Sequence, residues 1–168
     1  DQAWEPALAA FSHALAGWSK IRSTLGVADR ILVANHFLML KLSFTAQFYL
    51  LRDKQVEWID KVLREFAFGQ YPLPVWLAHR LPVYFGTSQA LGSGKHFNVA
   101  CLVRHAISLE PHKFSHTLFA IDYPKHAIYN HMYVAVRYLN VQLGMRPWCT
   151  VQQLWSFLVE AQRTRYVR

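Results

Sequence analysis

Six short runs of this sequence set cations beside aromatic rings. They are Lys95-His96-Phe97, His112-Lys113-Phe114, Tyr123-Pro124-Lys125-His126, Arg137-Tyr138, Arg146-Pro147-Trp148, and the terminal Arg163-Thr164-Arg165-Tyr166-Val167-Arg168. Cations in such a pattern supply contacts to phosphate, and exposed rings supply stacking faces for bases. Helical spacing assigns most of these rings to a core, where the cations merely flank them. The terminal run differs, because its three arginines in six residues stand beyond the last apolar turn. Arg137, Arg146, Arg163, Arg165 and Arg168 are therefore the expected phosphate contacts, with Lys95, Lys113 and Lys125 as weaker ones. The planar fork of arginine suits phosphate oxygens better than the point charge of lysine. Cations of this kind position a protein on a backbone and do not read bases.

Residues for catalysis are sparse. Gly92-Ser93-Gly94-Lys95 resembles part of a phosphate loop, but His96 follows where Ser or Thr is needed, and the earlier glycine is missing. Neither a dinucleotide-binding Gly-x-Gly-x-x-Gly nor a Gly-x-Ser-x-Gly nucleophile elbow occurs. The ten carboxylates include no Asp-Asp pair of the sort that holds two metal ions. His112 and His116 share a helix face, yet no third ligand stands at a matching spacing, and the glutamate of zinc hydrolases is absent. No catalytic activity, cofactor, metal or small-molecule substrate is expected. Cys101 and Cys149 form no Cys-x-x-Cys pair and read as reduced, buried thiols.

The charge is lopsided. Residues 1–84 hold nine Lys/Arg against seven Asp/Glu, whereas residues 85–168 hold nine against three, within a net charge of +8. Such a basic half points to a polyanion, nucleic acid before an acidic membrane surface. The most apolar run, Ile31 to Leu51, carries Asn35, His36, Lys41 and Gln47, so it does not read as a membrane span. No signal peptide is visible. Asp1 stands where Met would begin a primary product, so a processed protein or a piece of a longer one is expected.

The elements that must hold these residues read as helices throughout. Trp4, Leu8, Phe11, Leu15 and Trp18 follow the period of one helix face, with Pro6 tolerated in the first turn. Residues 21–26 read as a turn. Asp29 opens a long apolar helix to about Leu51, expected to be the most buried element. Asp53 reads as the N-cap of a third helix, on which Val56, Ile59, Leu63 and Phe66 form a stripe that Gly69 ends. Leu32, Phe37, Leu40, Phe44, Phe48, Ile59, Leu63 and Phe66 are the expected core.

The expected fold is all-α, a helical bundle in one compact unit. A three-helix part spans 1–70 and an extended Pro/Gly connector spans 71–94, with a helical turn at Val75–Arg80. A basic helical part spans 95–168, with helices at about 96–108, 113–119, 124–143 and 150–165.

Segment 4–110 resembles the thumb and post-thumb region of reverse transcriptases from non-LTR (LINE-type) retrotransposons. The residues that carry the likeness are the Trp4-to-Trp18 stripe and Leu25 through Arg30 to Val33-Ala34-Asn35. They continue with Ile59-Asp60-Lys61-Val62-Leu63-Arg64-Glu65-Phe66 and its Gly69 stop, then Leu81-Pro82, Gly92-Ser93-Gly94 and Asn98-Val99-Ala100. The likeness implies a helical grip on a template–primer duplex without the catalytic palm, whose Asp-Asp loop is not in this sequence. It implies RNA or an RNA–DNA duplex as partner, with no membrane role, and an intracellular place in mitochondrion or nucleus.

A module of this kind standing alone suits a structural subunit of a large ribonucleoprotein, such as a mitochondrial ribosome, among other proteins of that complex. Two other readings stand beside it: a protein-interaction adaptor whose tryptophans dock a partner, and a fragment of an active reverse transcriptase.

Overall fold

The computed structural model describes residues 2–69 and 73–109, which are all-α with no strand among them. A short 3-10 turn leads into α1 (Glu5–Ser19), α2 (Val27–Val33), α3 (Ser43–Ala46), α4 (Asp53–Phe68), α5 (Val75–Ala78), α6 (Leu81–Phe85) and α7 (Gly94–Leu109). Pro6 lies in the first turn of α1, where no intrahelical donor is lost. Arg52, not Asp53, occupies the N-cap of α4, and Gln55 Oε1 accepts the Arg52 amide at 2.9 Å. Gly69 ends α4 with a left-handed φ of 76°, and its amide donates to Glu65 O at 2.9 Å. A side chain there would also collide with the Arg22 guanidinium, 2.6 Å from the place of a Cβ.

The second helix is not continuous. After α2 the backbone widens into a π-helical turn (Ala34–Leu38), tightens into a 3-10 turn (Met39–Leu42), and resumes as α3. A π turn inserts one residue's worth of rotation, so the face that continues the helix changes. The buried residues are Ile31, Val33, Ala34, Leu38, Met39, Leu42 and Ala46. This element packs against α1 on one side and α4 on the other. The small side chains of Ala34 and Ala46 are fully buried there.

The expected core is therefore half corrected. Ile59, Leu63 and Phe66 are buried on α4 as the stripe predicts, each worth about 1.5–3 kcal/mol relative to exposure. Leu32, Phe37, Leu40 and Phe44 are exposed, Phe44 to 74%, and Phe48 is half-buried. A run that is apolar all round gives no period to choose a face, and the π and 3-10 turns direct the other face inward.

The segment read as an extended connector contains α5 and α6. Pro82 falls in the first turn of α6, and Gly86 closes it. Polar side chains fasten this segment back. Asn35 Nδ2 donates to Ala90 O at 2.9 Å while its Oδ1 accepts the Gly92 amide at 2.8 Å. His79 Nδ1 stands 2.7 Å from Leu91 O, which requires that nitrogen to carry the proton.

Contacts group the chain into two units, 1–98 and 99–168. The first contains α1 to α6 and the opening of α7. In the second, the described residues are the rest of α7, with Val99, Cys101, Leu102 and Val103 buried.

Candidate nucleic-acid interface

Of the expected phosphate contacts, Lys95 is the second residue of α7 and is exposed. Arg137, Arg146, Arg163, Arg165, Arg168, Lys113 and Lys125 lie outside the described residues, as do Cys149 and the His112/His116 pair.

The polar residues on which the resemblance rests are architectural in the first unit. Arg30 Nε donates to Leu25 O at 2.9 Å and Arg22 O at 3.1 Å, and its Nη1 to Ala67 O at 3.5 Å. Arg22 Nε donates to Phe66 O at 2.6 Å. Arg64 reaches Asp60 O and Leu73 O, at 3.2 and 3.4 Å. Asp60 accepts the Gly94 amide at the start of α7. Asn98, 2% exposed, accepts the Leu51 amide at 2.8 Å and donates to Ala46 O and Tyr49 O at 3.1 and 2.8 Å. Arg22 and Arg30 meet carbonyls at the end of α4, Asp60 meets the first amide of α7, and Asn98 meets backbone groups between α3 and α4, so several helix-end groups gain side-chain partners.

Among the described residues, the side chains of Arg22, Arg30 and Arg64 donate to backbone carbonyl oxygens. Lys61 and Glu65 approach at 3.9 Å as an exposed i,i+4 pair, a contact that adds little.

A groove missed by sequence reasoning lies between α1 and the irregular turns after α2. It holds about 720 Å³ and is lined by the small residues Ala10, Ala14 and Gly17 and by the apolar Trp18, Phe37 and Leu40. His13, His36 and Lys41 stand in the same lining, which among the described residues contains no carboxylate. The Trp18 and Phe37 rings lie 5.3 Å apart, tilted by 46°. Lys41 and His13 are exposed. His36 Nε2 is 3.5 Å from Gln89 Nε2. The signal available in the sequence was the alternative stripe Ile31, Ala34, Leu38, Leu42, Ala46, which leaves Phe37, Leu40 and Lys41 on the other side.

Two titratable groups are perturbed. His96 on α7 is pushed below the ordinary histidine value, chiefly by burial, with His79 and Lys95 adding to the effect and Asp60 opposing it. Burial pushes the Cys101 thiol up, only partly offset by Arg104, so this buried sulfur is no activated nucleophile. Among the described residues no three His, Cys, Asp or Glu side chains gather into a metal-binding group. None of their helices is long and apolar enough to cross a membrane.

Compared with protein-family models, curated proteins and solved structures, the chain finds no match.

Proposed function

We propose that this chain is a non-catalytic, nucleic-acid-binding helical module, derived from a retroelement reverse transcriptase and serving as a structural subunit of a ribonucleoprotein. Its partner is RNA or an RNA–DNA duplex. The observation that carries the reading is the charge excess of the second half, where residues 85–168 hold nine Lys/Arg against three Asp/Glu inside a chain of net charge +8. A basic excess of this kind projects a positive field, which attracts a polyanion. The retroelement origin rests on the resemblance alone, carried by motif residues such as Arg30, Asn35, Asp60 and Asn98.

The test is binding of a labelled RNA hairpin and an RNA–DNA duplex by the full chain across a salt series. Neutralising several phosphates makes log K fall linearly with log salt, by nearly one unit per phosphate contacted. A slope of several units is expected. Absence of binding at low salt, or a flat dependence, would overturn the reading.

A second reading has its own observation. Trp76 on α5 and Tyr84 on α6 pair edge to face at 5.8 Å, and both are more than half exposed. Exposed aromatics of this type anchor protein interfaces. Under this adaptor reading, binding to a protein partner would be nearly indifferent to salt and lost on Trp76→Ala.

A further inference from the structure

Resting on the nucleic-acid reading, we infer that the groove between α1 and residues 34–41 takes an unpaired base of a single-stranded RNA or DNA. The base stacks on the exposed side of the Trp18–Phe37 pair, and its flanking phosphates lie against Lys41 and the histidine edges of His13 and His36. The argument starts from the backbone. The π turn at Ala34–Leu38 rotates Phe37 and Leu40 out of the core, leaving Phe37 48% exposed and Leu40 58%. π turns of this kind occur frequently at functional sites. The Trp18 and Phe37 rings then stand 5.3 Å apart, tilted by 46°, and both line the groove, where the half-exposed Phe37 ring offers a stacking face beside Trp18.

Charge decides the occupant. Among the described residues, the lining combines those rings with one lysine and two histidines and no carboxylate. An apolar peptide would use the rings but leave Lys41 without a partner. A second copy of this chain, docked through the same face, would bring two Lys41 ammonium groups into one interface with no carboxylate from the described lining to pair them. A base-paired duplex keeps its base faces stacked and offers none to Trp18 and Phe37. An unpaired nucleotide meets every requirement: a π face for the rings, a phosphate for Lys41, and acceptors for the imidazole N–H groups. The volume of about 720 Å³ lies within the range of small-ligand clefts.

The experiment uses the full chain with an oligouridine of about ten nucleotides, inside the site size of single-strand binders, and a blunt RNA duplex as a second probe. Phe37→Ala should weaken oligouridine binding roughly tenfold, the scale of one lost base–aromatic stack, and leave duplex affinity within about twofold. Phe37→Trp should restore it. Lys41→Gln should lower the salt slope for the single strand by about one unit; this surface change bears on the groove even where Phe37→Ala shifts the melting temperature.

Wild-type binding with neither variant altering single-strand affinity or slope would overturn the groove while leaving the proposed function standing. Equal losses on both probes, or self-association abolished by Phe37→Ala, would also overturn it. Failure of the wild-type chain to bind either probe would remove the proposed function together with the groove.

Discussion

Asp60 on α4 closes the start of α7: its Oδ1 accepts the Gly94 amide at 2.7 Å, and its Oδ2 stands 3.4 Å from the Ser93 hydroxyl that donates to it. A carboxylate here satisfies an orphan helix-start donor and sits at the positive end of the helix dipole. Contact is close on both sides, since a Cβ added at Gly94 would come within 3.3 Å of Asp60 Oδ1 and of Ile59 Cγ2. Asp60→Ala should cost about 1–2 kcal/mol, the range for a lost cap. Asp60→Asn, which keeps an acceptor, should cost less. Urea unfolding of the two variants checks the order; equal stability of Asp60→Ala and wild type would refute the cap.

Asn98 presents a sharper case, because it is buried and its amide makes three hydrogen bonds. Asn98→Leu fits a similar volume but leaves the Leu51 amide and two carbonyls without those partners. Each stranded buried group costs about 1–3 kcal/mol, so a loss of roughly 3 kcal/mol or more is expected. Asn98→Asp keeps the acceptor for Leu51 but turns a negative oxygen toward the Ala46 and Tyr49 carbonyls. Its stability should therefore recover partly at acidic pH, where the protonated acid donates again. Thermal melts at two pH values separate these outcomes.

A buried position on α4 and an exposed position on the second helical stretch are distinguished by one pair of truncations. Leu63→Ala, in the α4 stripe, should cost about 2–5 kcal/mol through lost transfer and a residual cavity. Leu40→Ala, at a residue 58% exposed, should stay within about 0.5 kcal/mol. A large loss at Leu40 would mean that this face is covered in solution, which would contradict the open groove.

How far the sequence could be read follows from where it carries a period. Around α1 and on α4 the stripes at helical spacing mark Trp4, Phe11, Ile59, Leu63 and Phe66, which are buried, together with Leu8, Leu15, Trp18 and Val56, which are only half-buried. Between Ile31 and Leu51 fifteen of 21 residues are apolar and they fall on every side, so hydrophobicity alone selects no face, and no Pro or Gly marks the π turn. α6 is hidden for a different reason: Pro82 and Gly86 read as breaks, yet they are the first turn and the cap of one short helix. The roles of Arg30, Asn35, Asp60 and Asn98 are illegible in the sequence because their partners are backbone groups, which leave no trace in residue type. The groove inherits the same difficulty, since its wall consists of residues that hydrophobicity assigns to the core.

His96, an exposed residue of α7, should give the fold's stability a weak dependence on pH. Its folded-state pKa is lowered, first by burial and then by His79 and Lys95, against the pull of Asp60. Between the folded and unfolded values the unfolded chain binds more protons, so stability rises with pH. This contribution is complete above the ordinary histidine pKa and is lost as pH falls toward the lowered folded value. Chemical denaturation should show a decline in mildly acidic buffer that His96→Gln reduces. An NMR titration in which the His96 ring protonates at or above the ordinary value would reverse the sign.

The terminal arginines test whether the basic second half contributes on its own. Arg163, Arg165 and Arg168 follow the last apolar turn of the sequence, and no helical stripe requires them. Changing all three to Gln should lower the salt slope for RNA by up to about three units, one for each phosphate contact removed. The loss should be the same for every sequence offered, because backbone contacts carry no base information. Lys95→Gln, at the exposed start of α7, should remove about one further unit. Arg22, Arg30 and Arg64 offer the contrast. Their guanidiniums are committed to carbonyls, so Arg30→Gln should lower stability and leave the slope nearly unchanged. If the triple variant keeps the wild-type affinity and slope, the tail is an ordinary solvated terminus, and the adaptor reading moves ahead.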